Sequence, residues 1–372
     1  MKYFLYHSIG TYPGKEGDLK EVLAQFAHIW SAADDGQWGD ALQTRRRFLD
    51  RWAQLIEAPN ETLTLTENVT LALYSFIGGL PRARLSGKTI LVAQDCFPSL
   101  HFLLSGLSER FRFTLKTVPT RSGEYFVQDD DFLSAWDGSV GLALVTWVSS
   151  TTSKRCDLEA MAQRARDTGS LLIVDVTQGI GIIPFKVEDG ISAVVGSTLK
   201  WLCGTAGAGV LHVSADLLQE CRPELRGWFS QENPFSWNLD AFTYAPDARR
   251  FDHGTPSVLS AYASLPGIEF VLQQGVDKLS KHNQLLTATI IEFASSNSLE
   301  VSTPKNEKER GGSIMLNARS EDAAAHLVHR LKCEDFYVDH RGGTIRLSPG
   351  IVTTQADTES LCRVLYAARE LF

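Results

Sequence analysis

The sequence predicts an α/β fold: a mostly parallel sheet with helices on both faces, followed by a smaller α+β region. Short apolar runs recur through the middle of the chain, separated by stretches with helical spacing. Runs that are apolar on both faces suit strands buried on both sides, and the helices between them supply the crossovers. Beyond Ser257 the pattern changes to one long helical region and then a tighter alternation of strand and helix. At 372 residues the chain can hold a large core and a smaller one, since single cores stop growing at about 250–300 residues.

Taken in order, residues 18–57 read as helices. Trp30, Trp38, Phe48, Trp52 and Leu55 form their apolar faces, and the polar stretch Ala33-Asp34-Asp35-Gly36 interrupts them. A polar segment, Thr64 to Thr70, leads into an apolar helix from Leu71 to Leu80. Strands are expected at Thr89–Ala93, Phe113–Val118, Val140–Val148, Ser170–Asp175 and Ser192–Val195, and Gly209–Val213 turns back. A helix begins at Phe102, and another runs from Leu158 to Asp167 and stops at Gly169. Residues 222–253 are irregular and rich in Trp, Phe, Pro and Asn. The long helical region runs from Ser257 toward Ser295. Strands at 312–317 and 344–347 then alternate with helices at 321–331 and 357–372. The expected division is an N-terminal helical segment, 1–60, packing with the small domain; a large domain, 61–265; and a linking helix plus small α+β domain, 266–372.

Composition narrows the function. A net charge of −8 argues against nucleic-acid or anionic-membrane binding. No run suggests a signal peptide or a membrane span. Six scattered cysteines without a CxxC pair read as reduced, mostly buried thiols of a cytoplasmic protein, with no metal site. A G-x-G-x-x-G after an early strand is missing, which discounts a nicotinamide-binding fold.

Two residues carry the chemistry. Asp175 ends one apolar strand, at the edge where open α/β sheets bind ligands. Alone it reads more readily as a cap or turn aspartate. Lys200 lies just past the next strand and is followed by Gly204, Gly207 and Gly209, which permit close backbone approach. Alone it reads as a loop lysine. Together they supply a Schiff-base amine and an acid to face a pyridine nitrogen.

Asp175-Val176-Thr177-Gln178, then Gly196-Ser197-Thr198-Leu199-Lys200-Trp201-Leu202 and the glycines, resembles the class V aminotransferase family of fold-type I pyridoxal-phosphate enzymes. That family includes kynureninases, cysteine desulfurases and isopenicillin-N-epimerase-like proteins. The resemblance spans about Thr64 to the C-terminus. It implies a seven-stranded, mostly parallel sheet between helices, pyridoxal 5′-phosphate as cofactor, and a small amino-acid substrate. Lys200 would hold the cofactor and shuttle protons. Asp175 would pair with the pyridine nitrogen and Gln178 with the 3′-oxygen. Ser197 and Asn68-Val69-Thr70 would contact the phosphate, the latter at a helix start suited to anions. Phe97 would stack on the ring. Arg346 would hold the substrate carboxylate, with His101 as a further substrate contact. Gly254 and Thr255 match a segment that reaches the phosphate of a neighbouring subunit, which implies a homodimer.

Several stretches are most similar to kynureninase: Leu225-Arg226-Gly227-Trp228-Phe229, the run from Arg250 to Ser260, and Val338-Asp339-His340-Arg341. Leu100, Gln178, Leu199 and Gln231 depart from the residues that kynureninases carry there. A desulfurase needs a cysteine shortly before Arg346, yet 335–345 has none, and Cys333 reads as a buried structural thiol. The implied reactions are transamination or kynureninase-like hydrolysis. Carbon–sulfur β-elimination is the alternative, and a catalytically degenerate binding protein is the rival of another class.

Overall fold

The computed structural model describes residues 2–372. In chain order, the first elements are strand β1 (Lys2–Tyr3), helices α1 (Lys15–Trp30) and α2 (Gln37–Ile56), β2 (Leu63–Thr66) and α3 (Val69–Gly79). They are followed by β3 (Thr89–Ala93), α4 (Pro98–Phe111), β4 (Thr114–Val118), α5 (Asp129–Ala135), β5 (Val140–Thr146) and α6 (Leu158–Thr168). The large sheet finishes with β6 (Leu171–Asp175), β7 (Ala193–Ser197) and β8 (Gly209–Val213), and then α7 (Ala215–Glu220) follows. Helices α8 (Val258–Gln274) and α9 (Val276–Ser296) lead to β9 (Ile314–Asn317) and α10 (Glu321–Cys333). β10 (Phe336–Tyr337), β11 (Asp339–Arg341), β12 (Thr344–Leu347) and α11 (Gln355–Ala367) close the chain.

Seven strands form the large sheet in the order β2-β8-β7-β6-β5-β3-β4. Pairing is parallel from β7 through β4 and antiparallel on both sides of β8. Two reversals cancel, so β2 runs the same way as β7, and Thr66 and Ser197 both pair with Gly209. The carboxyl ends of β2, β3, β5, β6 and β7 therefore share one edge.

Burial explains why these runs are strands. On one face Phe48 and Trp52 of α2 and Leu265 and Ile268 of α8 cover Leu172 and Val174. On the other, Leu73 and Phe76 of α3 and Leu104 of α4 cover Ile90, Val92, Leu144 and Ile173. A separate core joins the β11-β12-β9 sheet to α9, α10 and α11 through Ile290, Leu327, Ile345 and Leu361, and Phe4 enters it. The first residues join this small layer, where β1 pairs with β10. α1 and α2 instead pack on α8, with Arg47 and Arg51 both paired to Glu269.

The sequence pattern missed β2, whose Leu63-Thr64-Leu65-Thr66 looked like polar loop. All four residues are buried, and Thr64 is satisfied by Arg45 and Asp252. α5 was hidden by its run of aspartates. The long helical region is two helices, broken at Gly275, whose φ of 83° a non-glycine residue resists. The last helix stops at Ala367 rather than Phe372. No helix among the described residues is long and apolar enough to cross a membrane.

Candidate active site

The shared carboxyl edge gathers side chains that are far apart in sequence. Asp175, the last residue of β6, is 4% exposed. Its Oδ1 accepts from the Thr177 backbone N–H (3.0 Å) and hydroxyl (2.6 Å). Its Oδ2 has no partner among the described residues. Burial pushes the carboxyl pKa up, against the Thr177 bonds and the nearby Lys200 charge.

Lys200 follows β7 in a tight turn. Thr198 hydrogen-bonds Ala208 through both N–H (3.0 Å) and hydroxyl (2.8 Å), and Cys203 N–H closes on the Lys200 carbonyl (2.9 Å). Gly10 lies against that carbonyl so closely that a Cβ there would sit 1.8 Å from the oxygen. The half-buried Lys200 Nζ is 5.7 Å from the centroid of the Phe97 ring. Burial lowers its pKa to about 8. Asp175 opposes that shift, and Arg346 and Arg341 reinforce it.

The remaining expected residues divide. Gln178 is buried beyond β6 and donates Nε2 to the His7 carbonyl (3.1 Å). Ser197 is buried at the end of β7. Asn68 caps α3 by accepting from Leu71 N–H (2.9 Å), which leaves the N–H groups of Val69 and Thr70 free in the first turn. Phe97 precedes α4 at the same edge. His101 is one turn along α4 and bonds Thr117 on the outermost strand (3.1 Å), away from this group. Gly254 and Thr255 are exposed ahead of α8. They are anchored by the buried Arg45–Asp252 pair (2.7 Å) and the His253–Glu67 contact (3.8 Å). Arg346 is 8% exposed on β12 and pairs with Asp339 through Nε (2.8 Å) and Nη2. Cys333 is exposed at the end of α10, not buried, because the helix turns that face to solvent. A groove of about 900 Å³ beside Lys154, Cys156 and Phe185 is lined by none of the residues assigned to the cofactor or substrate.

Sequence similarity agrees with the geometry. The aminotransferase class-V pattern matches residues 40–364. The chain belongs to the aminotransferase class-V family.

An uncharacterized aminotransferase of Bacillus subtilis, YcbU, is 25% identical over 86% of this chain and 82% of the relative. A kynureninase of Deinococcus radiodurans is 26% identical over 78% and 74%. Among solved structures, a cysteine desulfurase of Thermococcus onnurineus covers 100% of this chain and 95% of its own at TM-score 0.84 and 19% identity. The cystine C–S lyase C-DES covers 97% and 96% at 0.85 and 17%. As a class-V aminotransferase family member, the chain is a pyridoxal-phosphate-dependent enzyme of amino-acid chemistry. The residues present fit that cofactor. A buried carboxylate with one free oxygen, an amine of lowered pKa and an open helix start all lie along one edge.

Sequence reasoning assigned no role to His7 or Asp339. His7 lies beside a two-residue strand, which carries no periodicity, and Asp339 opens a strand of three polar residues. The only available signal was the Val338-Asp339-His340-Arg341 resemblance.

Proposed function

We propose that the chain is an aminotransferase that carries pyridoxal phosphate on Lys200 and moves the α-proton of a small amino acid with the same amine. The observation that carries this reading is the placement of the Lys200 amine, 5.7 Å from the Phe97 ring centroid, at the sheet edge where the buried Asp175 carboxylate ends β6; burial lowers the pKa of the amine. When bound, the cofactor supplies an electron sink for the charge left by the departing proton. Asp175 Oδ2 would pair with the pyridine nitrogen and keep it protonated. Gln178 would hydrogen-bond the 3′-oxygen, and Phe97 would stack on the ring. Ser197, Thr70, Asn68 and the Val69 N–H would hold the phosphate, where a helix start favours an anion. Arg346 takes the substrate carboxylate. Gly254 and Thr255 reach the phosphate of a second copy, so the working unit is a homodimer. His101 is a substrate contact only if its ring leaves Thr117.

Transamination is preferred to kynureninase-like hydrolysis because Leu100, Gln178, Leu199 and Gln231 replace residues that kynureninases carry. A persulfide route lacks its nucleophile, since no cysteine lies between Asp335 and Ile345. The test is to mix purified holoenzyme with single amino acids, follow the visible Schiff-base band and identify products by mass. Bleaching of the band by an amino acid with release of its oxo acid supports transamination. Release of pyruvate from cystine, or anthranilate from kynurenine, overturns it.

A further inference from the structure

Arg346 is already held along one edge before any substrate arrives. Its Nε donates to Asp339 Oδ1 (2.8 Å) and its Nη2 to Asp339 Oδ2, while Nη1 has no partner among the described residues. Asp339 is held in turn. His7 Nε2 lies 3.0 Å from Asp339 Oδ1, and His7 Nδ1 lies 2.6 Å from Ser348 Oγ. An ionised carboxylate only accepts, so Nε2 carries the proton and Nδ1 accepts from the serine hydroxyl. His7 is 2% exposed, and burial keeps its pKa low, in line with this neutral tautomer. Burial pushes the Asp339 pKa up, but the bonds from His7 and Arg346 outweigh it and bring it down to about 2.

We propose that Asp339 and His7 are positioning residues, clamping Arg346 along its Nε–Nη2 edge so that Nη1 is left as the donor for the carboxylate of the amino-acid substrate. The proposal rests on Lys200 being the cofactor lysine and on Arg346 facing the same pocket. A guanidinium is a planar fork on a flexible stem. Fixing one edge leaves less freedom to lose when the other edge binds. Asp339 also repels an incoming anion, but its charge is already matched by the guanidinium it holds, so orientation is the larger effect. His7 links the clamp to the cofactor side, because its carbonyl accepts from Gln178 Nε2 (3.1 Å). Three residues on, Gly10 N–H bonds the Leu199 carbonyl (2.8 Å). The segment from His7 to Gly10 thus ties the clamp to the Lys200 turn.

The experiment titrates holoenzyme with L-alanine and with ethylamine, which differ by the carboxylate, and follows the visible absorbance. Asp339→Asn weakens alanine binding roughly tenfold and leaves ethylamine within about twofold. Asp339→Glu restores part of the loss. His7→Ala shifts alanine in the same direction by less, and the double variant matches Asp339→Asn, as coupled residues do. The clamp is overturned if Asp339→Asn leaves alanine unchanged or tighter, or weakens both ligands equally. A wild-type protein with no visible band overturns the Lys200 reading and the clamp together. A normal band with unchanged alanine binding overturns the clamp alone.

Discussion

Burial disfavours the ammonium form of Lys200, which is why its pKa falls from 10.5 to about 8. The free amine is the nucleophile. The rate of pyridoxal-phosphate loading onto apoprotein is therefore expected to rise with pH, level off above about 8, and not follow an ordinary lysine upward past 10. Stability carries the same signature. Between about 8 and 10.5 the unfolded chain binds more protons at this residue than the folded one, so apoprotein stability rises with pH across that window. Lys200→Met is expected to remove that part of the slope in denaturant melts taken at several pH values. Asp175→Asn keeps the shape but loses the charge that, in the proposed site, would face the pyridine nitrogen. It is expected to lower turnover roughly a hundredfold or more while cofactor binding persists, measured as kcat on whichever amino acid the screen finds. Lys200 and Asp175 were legible in the sequence because each follows an apolar strand whose end could be read. The Asp339 carboxylate was not, because its partners Arg346 and His7 are brought to it only by strand pairing and by the N-terminal segment.

In the proposed site the start of helix α3 would take the phosphate, and that start depends on the Asn68 cap. Asn68→Ala leaves the Leu71 N–H unpaired and is expected to cost about 1 kcal/mol. The segment carrying Gly254 and Thr255 is tied to α2 by the Arg45–Asp252 pair, in which both side chains are almost fully buried. Asp252→Ala strands a guanidinium in the core and is expected to cost about 3–5 kcal/mol in denaturant unfolding. β3, β8 and β12 matched the sequence reading to the residue, since their runs are bounded by turn-forming residues. β1, β10 and β11 were invisible, because two or three residues cannot show a period of two. β11 pairs with β12 through the turn at Gly342, whose φ is 53°.

Three cores meet around the site, and the N-terminal segment stitches two of them together. Phe4 is buried in the small layer, while Gly10 lies against the Lys200 turn. Exposure of Gly254 and Thr255 suits contact with a second copy, so light scattering is expected to give a dimer mass. Mixed dimers offer a sharper check. Lys200→Ala and Thr255→Ala proteins, each impaired, are expected to recover activity when refolded together, because one of the two sites then regains both residues. Failure to complement argues that each subunit is self-sufficient.

The most direct measurement is chemical. Protein loaded with pyridoxal phosphate is reduced with borohydride, digested, and the modified peptide is sequenced by mass spectrometry. The expected result is a single phosphopyridoxyl group on Lys200, absent when Asp175 and Lys200 are both replaced. Label on Lys15 or Lys154 instead, or none at all, would contradict the assignment of the site.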